Sequence, residues 1–351
     1  SVQLARRLIA FRDCFILPHS DWFGEHRLSV DISVPILGVI DTADFMSRAG
    51  IRRIFNSAGV PSSIGTRECR NVDDLYKEAC ELMFNNPDLT RWIVRLGFTP
   101  TESGIGWFDI DNAFFDETET PTQIFKRVLN TTITVSSFIK TIAEVGATIE
   151  AVPPLVYSFP SVALLLTGDQ IRVIGSYDRA HYQPFRYGAV MIPSVSVDPD
   201  EIIRPARQVG SALMRNGVIG QVTVDFIAFQ EGKAEPSILG FDVRINSFPS
   251  ALNSAFATLC TGFDPIAGRM VLLKNVGDPL ERKQRFAILH NSPTHKGFAS
   301  FGLGDIRQMM RAEGILFDLL NRTGFRIVFY DQPSAGKGFA ISSAQTPEVA
   351  I

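Results

Sequence analysis

The sequence predicts an α/β protein built of α+β lobes. Three observations carry this: apolar runs of strand length, polar turns that join neighbouring runs into hairpins, and capped stretches of helical periodicity between them. A chain of 351 residues, 45% hydrophobic and 20% charged, has enough apolar mass for one large core or two to three small ones.

From the N-terminus, Val2 to Phe11 places Leu4, Leu8 and Phe11 on one helical stripe. Phe15 to Leu17 and Pro35 to Ile40 read as short buried strands. Asp44 to Ala58 reads as a helix closed by Gly59, with Pro61 beyond it as a stop. Asn71 caps the next helix. Asp73 and Asp74 complement its dipole, and Leu75, Ala79, Leu82 and Met83 form its apolar face. Trp92 to Leu96 and Trp107 to Ile110 are strands joined through the loop Gly97 to Gly106, which makes a hairpin. Phe125 to Ile142 has mostly helical spacing. Thr148 to Val152, Ser161 to Thr167 and Gln170 to Ser176 are strands, the last two joined by a turn at Thr167 to Gln170. Pro199 to Asn216 is a helix closed by Gly217. Gly220 to Phe229 and Ser237 to Asn246 are strands joined by a polar loop. Asn253 to Thr261 and Ile306 to Gly314 are helical, and a strand pair follows up to Ile341.

Composition narrows the function classes. A net charge of -3 gives no electrostatic case for nucleic acid or an anionic membrane. No apolar run approaches the ~18–20 residues of a membrane helix. Cys14, Cys69, Cys80 and Cys260 form no C-x-x-C pair and are too sparse for a disulfide framework, which predicts a reducing, cytoplasmic compartment. The five histidines show no metal-ligand spacing. Phe, at 27 against 6 Tyr and 3 Trp, is the main aromatic core filler. Ser1 in place of an initiator Met predicts a piece of a longer chain.

Five segments follow one another in an informative order. Arg48 opens a helix that ends Ala58-Gly59-Val60-Pro61. Trp92-Ile93-Val94-Arg95 precedes Gly104 and Gly106. Glu150-Ala151-Val152 follows, then Val224-Asp225-Phe226, and last Asp242-Val243-Arg244-Ile245-Asn246. In this order they resemble the ATP-grasp superfamily, in its peptide-ligase-like branch, over nearly the whole chain. The resemblance implies two lobes with a nucleotide cleft between them. It divides the chain into the end of a pre-ATP-grasp domain (1–46), an N-terminal lobe (47–150), a C-terminal lobe (151–275) and an extension (276–351). It implies that Arg48, Arg95, Gly104 and Gly106 meet the phosphates of ATP or ADP, that Glu150 meets ribose and adenine, and that Asp225 and Asp242 hold Mg²⁺.

Chemistry explains the pattern. A triphosphate needs positive charge and backbone N–H donors. Mg²⁺ takes carboxylate and phosphate oxygens in octahedral array. Residues two apart on a strand share a face, so Asp242, Arg244 and Asn246 point one way and Asp225 can meet them from a neighbouring strand.

The chain departs from the family in two places. The phosphate lysines are arginines, Arg48 and Arg95, which keep the charge but change the geometry. The family's Asn ligand is Arg244, and the family's Arg is Asn246. A guanidinium ~4 Å from Mg²⁺ is repelled by roughly 8 kcal/mol at an effective dielectric near 20. The expectation is that Arg244 bridges Asp225 and Asp242 in place of a metal. The lead reading is therefore a degenerate ligase acting as a scaffold or assembly component. The resembling stretches also imply association with a cilium or flagellum, and with axonemal or microtubule-associated protein partners. An active carboxylate–amine ligase working through an acyl-phosphate and a metal-independent nucleotide sensor are the alternatives. Val2, Gln3, Arg7 and Arg12 fit the spacing of a calmodulin-binding IQ helix, but Leu8 stands where that motif has glycine.

Overall fold

A computed structural model describes residues 14–18, 23–38, 45, 47–97, 104–110, 112–116, 118–230, 236–246, 250–272, 284–294, 301–329 and 337–350. The helix expected over Val2 to Phe11, the calmodulin spacing and residues 98–103 of the glycine loop lie outside them.

Helix α1 (Phe23–Ile32) precedes α2 (Arg48–Ala58) and α3 (Val72–Phe84). Ser47 accepts the Gly50 N–H at the start of α2, and Gly59 closes it in the left-handed conformation, φ 68°. Asn71 accepts the Asp73 N–H at the start of α3, as its sequence predicts. The expected hairpin forms from β1 (Arg91–Leu96) and β2 (Ile105–Asp109). The stretch expected to be mostly helical splits into α4 (Pro121–Val128), the short β3 (Asn130–Thr131) and α5 (Val135–Val145), because Asn130 and Thr131 pair with Trp107 and Gly106. With β4 (Ala147–Ala151), these strands make an antiparallel sheet in the order β3-β2-β1-β4.

Strand periodicity sorts the side chains of this sheet. Trp92, Val94, Leu96, Ala147 and Ile149 face helices α3, α4 and α5 and share a core with Leu75, Phe125 and Phe138. Ile93, Arg95, Thr148 and Glu150 alternate with them and so face away from those helices.

The second sheet has eleven strands among the described residues. In chain order it begins with β5 (Val156–Ser158), β6 (Pro160–Leu166), β7 (Ile171–Gln183) and β8 (Arg186–Ile192). Helix α6 (Pro199–Arg215) leads to β9 (Gly220–Phe229) and β10 (Ser237–Ile245). Then come α7 (Ser250–Leu259), β11 (Thr261–Asp264), β12 (Arg269–Leu272) and β13 (Gln284–Thr294). Helix α8 (Leu303–Ala312), β14 (Gly324–Phe329), β15 (Lys337–Ala344) and α9 (Pro347–Ala350) complete it. The strand order is β10-β9-β6-β7-β8-β13-β12-β11, with β5 on β9 and β15 joining β13 to β14.

Helix α6 covers one face. Ile202, Ala206, Val209 and Leu213 pack against Val162, Leu164, Val222, Val224 and Val243. Helix α2 joins this same core through Ile51, Ile54 and Phe55, so Arg48 rides on a helix anchored to the large sheet. The extended stretch after α2 then stitches the two sheets together. Ser62 pairs with Gly240 of β10, Gly65 with Glu150 of β4, and Cys69 with Ala147.

Several strands escaped the sequence reading. β7 runs on to Gln183 past its expected end at Ser176, because Asp178 and Arg179 break the apolar alternation while serving as buried partners for other groups. β5, β11 and β12 have four residues or fewer and carry too little periodic signal to be seen, and β8 and β13 escaped the reading as well.

Candidate functional site

The polar face of the small sheet meets the face of the large sheet opposite α6. Two ion networks fill the junction. Asp225, on β9, is 1% exposed. Its Oδ2 takes the Arg179 guanidinium at 2.6 Å and Arg244 Nε at 3.1 Å; its Oδ1 accepts from Arg244 Nη2 at 3.1 Å and from Ser161 Oγ at 2.7 Å. Arg244 Nη2 also donates to the Tyr177 hydroxyl at 2.8 Å. Burial pushes the Asp225 carboxyl up, but Arg179 and Arg244 outweigh it and hold the group below its ordinary range.

The second network centres on Asp242. Arg48 Nη1 reaches its Oδ1 at 3.0 Å and Arg95 Nη2 its Oδ2 at 2.6 Å. Arg95 Nη1 donates to the Phe241 carbonyl at 2.6 Å and to Glu150 Oε2 at 3.3 Å. Glu150 accepts further from Thr148 Oγ1 at 3.0 Å and lies 3.6 Å from Arg52 Nη2. The Arg95 guanidinium carbon sits 4.3 Å from the Phe241 ring centre, a cation–π contact. Burial raises the Asp242 carboxyl, yet Arg48, Arg95 and Arg244 bring it down to about 2. Burial lowers the Arg95 pKa, but Asp242 and Glu150 more than reverse this. Arg48 ends lowered, by burial first and by its neighbour Arg95 second.

Local backbone explains why these groups converge. A β-bulge between Gly240 and Asp242 resets the register of β10, so that Asp242 stands opposite Asp225. Gly240 has no Cβ because one would lie 2.3 Å from the Phe55 ring, and this lets α2 press Arg48 against β10.

The structure corrects three expectations. Arg244 does not bridge both carboxylates; it grips Asp225 alone, and Arg48 and Arg95 take Asp242. Those two arginines, expected on phosphate, thus point at protein carboxylates, as does Glu150's partner Arg52. Gly106, expected at the phosphates, is a strand residue. It lies inside β2, paired with Val94 and Thr131, where a Cβ would come within 2.8 Å of Leu129 Cδ1. Gly104 is buried just before that strand. Asn246 is fully buried with φ 55° after β10.

Five members of the networks escaped the sequence reading: Arg52, Thr148, Ser161, Tyr177 and Arg179. Only Arg52 carried a signal, one helical turn after Arg48 on the same face. Beside Val152, an apolar cluster of Ile93, Phe185, Ile227 and Phe241 fills the junction, with Phe159 against it. His181 lies 4.3 Å from Phe159 between ring centres, and burial, then Arg179, lowers its pKa to about 4.

The donor set does not fit Mg²⁺. Each carboxylate already carries two guanidiniums, and the third position on the strand is itself a cation. Among the described residues no group of three or more His, Cys, Asp or Glu is arranged to hold a metal ion. The junction holds a small cavity lined by Arg48, Arg52, Arg95 and Glu150.

Comparison with known proteins agrees with the order of motifs. A model of the family described as "IQCH-like, ATP-grasp" matches residues 42–133 and 122–261. IQ motif-containing protein H of Danio rerio is 20% identical over 378 residues, covering 94% of this chain; the chain spans 35% of that relative's length. Among solved structures, the biotin carboxylase β-γ-ATP complex from Campylobacter jejuni is similar with a TM-score of 0.58 and 10% identity, over 93% of this chain and 69% of that one. The N5-carboxyaminoimidazole synthetase of Staphylococcus aureus complexed with ADP gives 0.56 and 12% identity, over 94% and 76%. At such identity the likeness shows the fold.

Proposed function

The chain belongs to the IQCH-like ATP-grasp family, and from that premise we propose that it is a non-catalytic member serving as a scaffold or assembly component. One observation carries the reading: the two carboxylates that the family pattern assigns to the metal are both neutralised by arginines of the chain itself. A carboxylate–amine ligase needs those oxygens on a metal beside the γ-phosphate, and here the guanidiniums occupy them. The test is a titration of ATP and ADP into the purified chain, with Mg²⁺ and with EDTA, following the melting temperature and phosphate release. A scaffold gives no Mg²⁺-dependent stabilisation and no steady phosphate release. A metal-dependent rise of about 2.7 kcal/mol at a hundredfold excess over Kd, or steady turnover, overturns the reading.

One observation favours a second reading, a metal-independent nucleotide sensor. Five arginines meet three carboxylates in the junction, so an entering polyanion finds surplus positive charge. Nucleotide stabilisation unchanged by EDTA identifies that case. The family resemblance supports a place in the cytoplasm at a cilium or flagellum, with axonemal or microtubule-associated proteins as partners. A tagged chain that stays evenly spread through the cytosol of ciliated cells counts against it.

A further inference from the structure

The two ion networks differ in what they join. Around Asp225, the partners Ser161, Tyr177, Arg179 and Arg244 all lie on the large sheet. The Asp242 network instead crosses between two bodies with separate cores. The core of the small sheet draws on residues 69–151 alone, from Cys69 to Ala151. The core beneath α6 draws on α2 and the large sheet. Between the bodies, Arg95 of β1 holds Asp242 Oδ2 and the Phe241 carbonyl, each at 2.6 Å, and its guanidinium lies over the Phe241 ring. Arg52 and Arg48 of α2 reach the small sheet as well, at Glu150 (3.6 Å) and at the Leu96 carbonyl (3.4 Å). These contacts border an apolar seam in which Ile93 packs with Phe185, Ile227 and Phe241. The chain passes between the bodies at residues 61–68 and 152–155. The first passage pairs with Gly240 through Ser62 and with Glu150 through Gly65, three residues on.

We propose that the Asp242 network is a latch that holds the small sheet shut against the large one, with residues 61–68 and 152–155 as the hinge. Arg95 is its bolt. At 1% exposure it is kept from water while the sheets are closed. Closure buries its charge, and Asp242 with Glu150 makes that burial tolerable. Without the Asp242 charge, the closed form keeps a buried cation short of a partner, whereas the open form returns it to water. Asp225 has no such leverage, because opening does not part it from Arg179 or Arg244. The latch needs no ligand, so it stands or falls apart from the scaffold reading.

Single-molecule energy transfer in the full chain reads the hinge directly. One dye sits on Cys260, an exposed thiol just after α7, and the other on Lys77→Cys, on the exposed side of α3, with Cys14 and Cys80 replaced by Ser. The labelled chain without further change should give one population. Asp242→Asn should raise the open-to-closed ratio about a hundredfold or more and produce a second population of different transfer efficiency. Adding Arg95→Met removes the stranded cation and should return most molecules to the closed population. Asp225→Asn should lower stability yet leave the single population in place. Glu150→Gln should open the hinge in the same direction more weakly, which keeps the latch testable if Asp242→Asn fails to fold. Two populations in the otherwise unaltered chain, or a single one in both Asp242→Asn and Glu150→Gln, overturns the proposal. So does equal opening by Asp225→Asn, or an Asp242→Asn chain that Arg95→Met does not reclose.

Discussion

Replacing Asp225 by Asn tests whether the metal-like position of this fold is held by ion pairing. The substitution keeps the shape and removes one charge from a site that is 1% exposed. Two guanidiniums then lose their counter-ion: Arg179, whose side chain is 13% exposed, and Arg244, at 30%. Breaking a buried pair from one side costs about 3–5 kcal/mol, because the remaining charge stays behind. Arg244 has some access to water and Asn still accepts one hydrogen bond, so the lower figure, about 3 kcal/mol, applies. At about 2–4 °C per kcal/mol for units of this size, the melting temperature should fall by about 6–12 °C. Differential scanning calorimetry reads this directly. Adding Arg244→Met removes one stranded cation, so the double variant should lose less than the sum of the singles, by about 1 kcal/mol or more. A fall below about 2 °C for Asp225→Asn, or strict additivity in the double variant, would refute the reasoning.

Acid sensitivity follows from Asp242, whose pKa is held near 2. The folded value lies below the ordinary one of about 3.9, so its contribution is present above pH ~4 and lost as pH falls towards 2; it amounts to roughly 2–3 kcal/mol. Denaturant titrations at pH 5, 4, 3 and 2 should show that loss, and Asp242→Asn should flatten it, leaving the part due to Asp225. Gly240→Ala should destabilise by about 1–3 kcal/mol, since the new Cβ meets the Phe55 ring at 2.3 Å. Phe55→Leu in the same chain should recover part of it, measured by urea unfolding. Arg244→Asn alone should not confer Mg²⁺-dependent nucleotide binding by calorimetry, because Arg48 and Arg95 still hold Asp242.

Much of the architecture was legible because its signals are local. The Asn71 cap with Asp73 and Asp74, the left-handed Gly59, and the turn at Thr167 to Gln170 each fix an element within a few residues. The carboxylates of β9 and β10 were legible too, since an Asp in an apolar strand needs a partner. Which partner it takes was not legible. Arg48 and Asp242 are 194 residues apart, and their meeting depends on a β-bulge and on a glycine that admits Phe55. Nothing in the spacing of Arg95 tells whether its guanidinium turns to a phosphate or to a neighbouring strand. Arg179 and Tyr177 were missed because they sit in a stretch whose period is broken by the polar residues the junction uses. The surroundings of Gly106 were not legible either. A glycine near a loop suggests ligand approach, while here the space is taken by Leu129.

The departures from the family pattern form one coherent change. Two buried carboxylates cannot stay unpaired, so something cationic has to face them. Arg244 supplies a charge at Asp225, assisted by Arg179. It does not reach Asp242 with a hydrogen bond, and that carboxylate draws in the two arginines whose positions the family pattern gives to phosphate. Arginine suits this better than lysine, because its planar fork spans separate acceptors: Arg95 divides its donors among Asp242, Glu150 and the Phe241 carbonyl. The residues that the family pattern gives to metal and to phosphate therefore pair with each other. Metal binding here would require both carboxylates to be freed together, which no single substitution accomplishes.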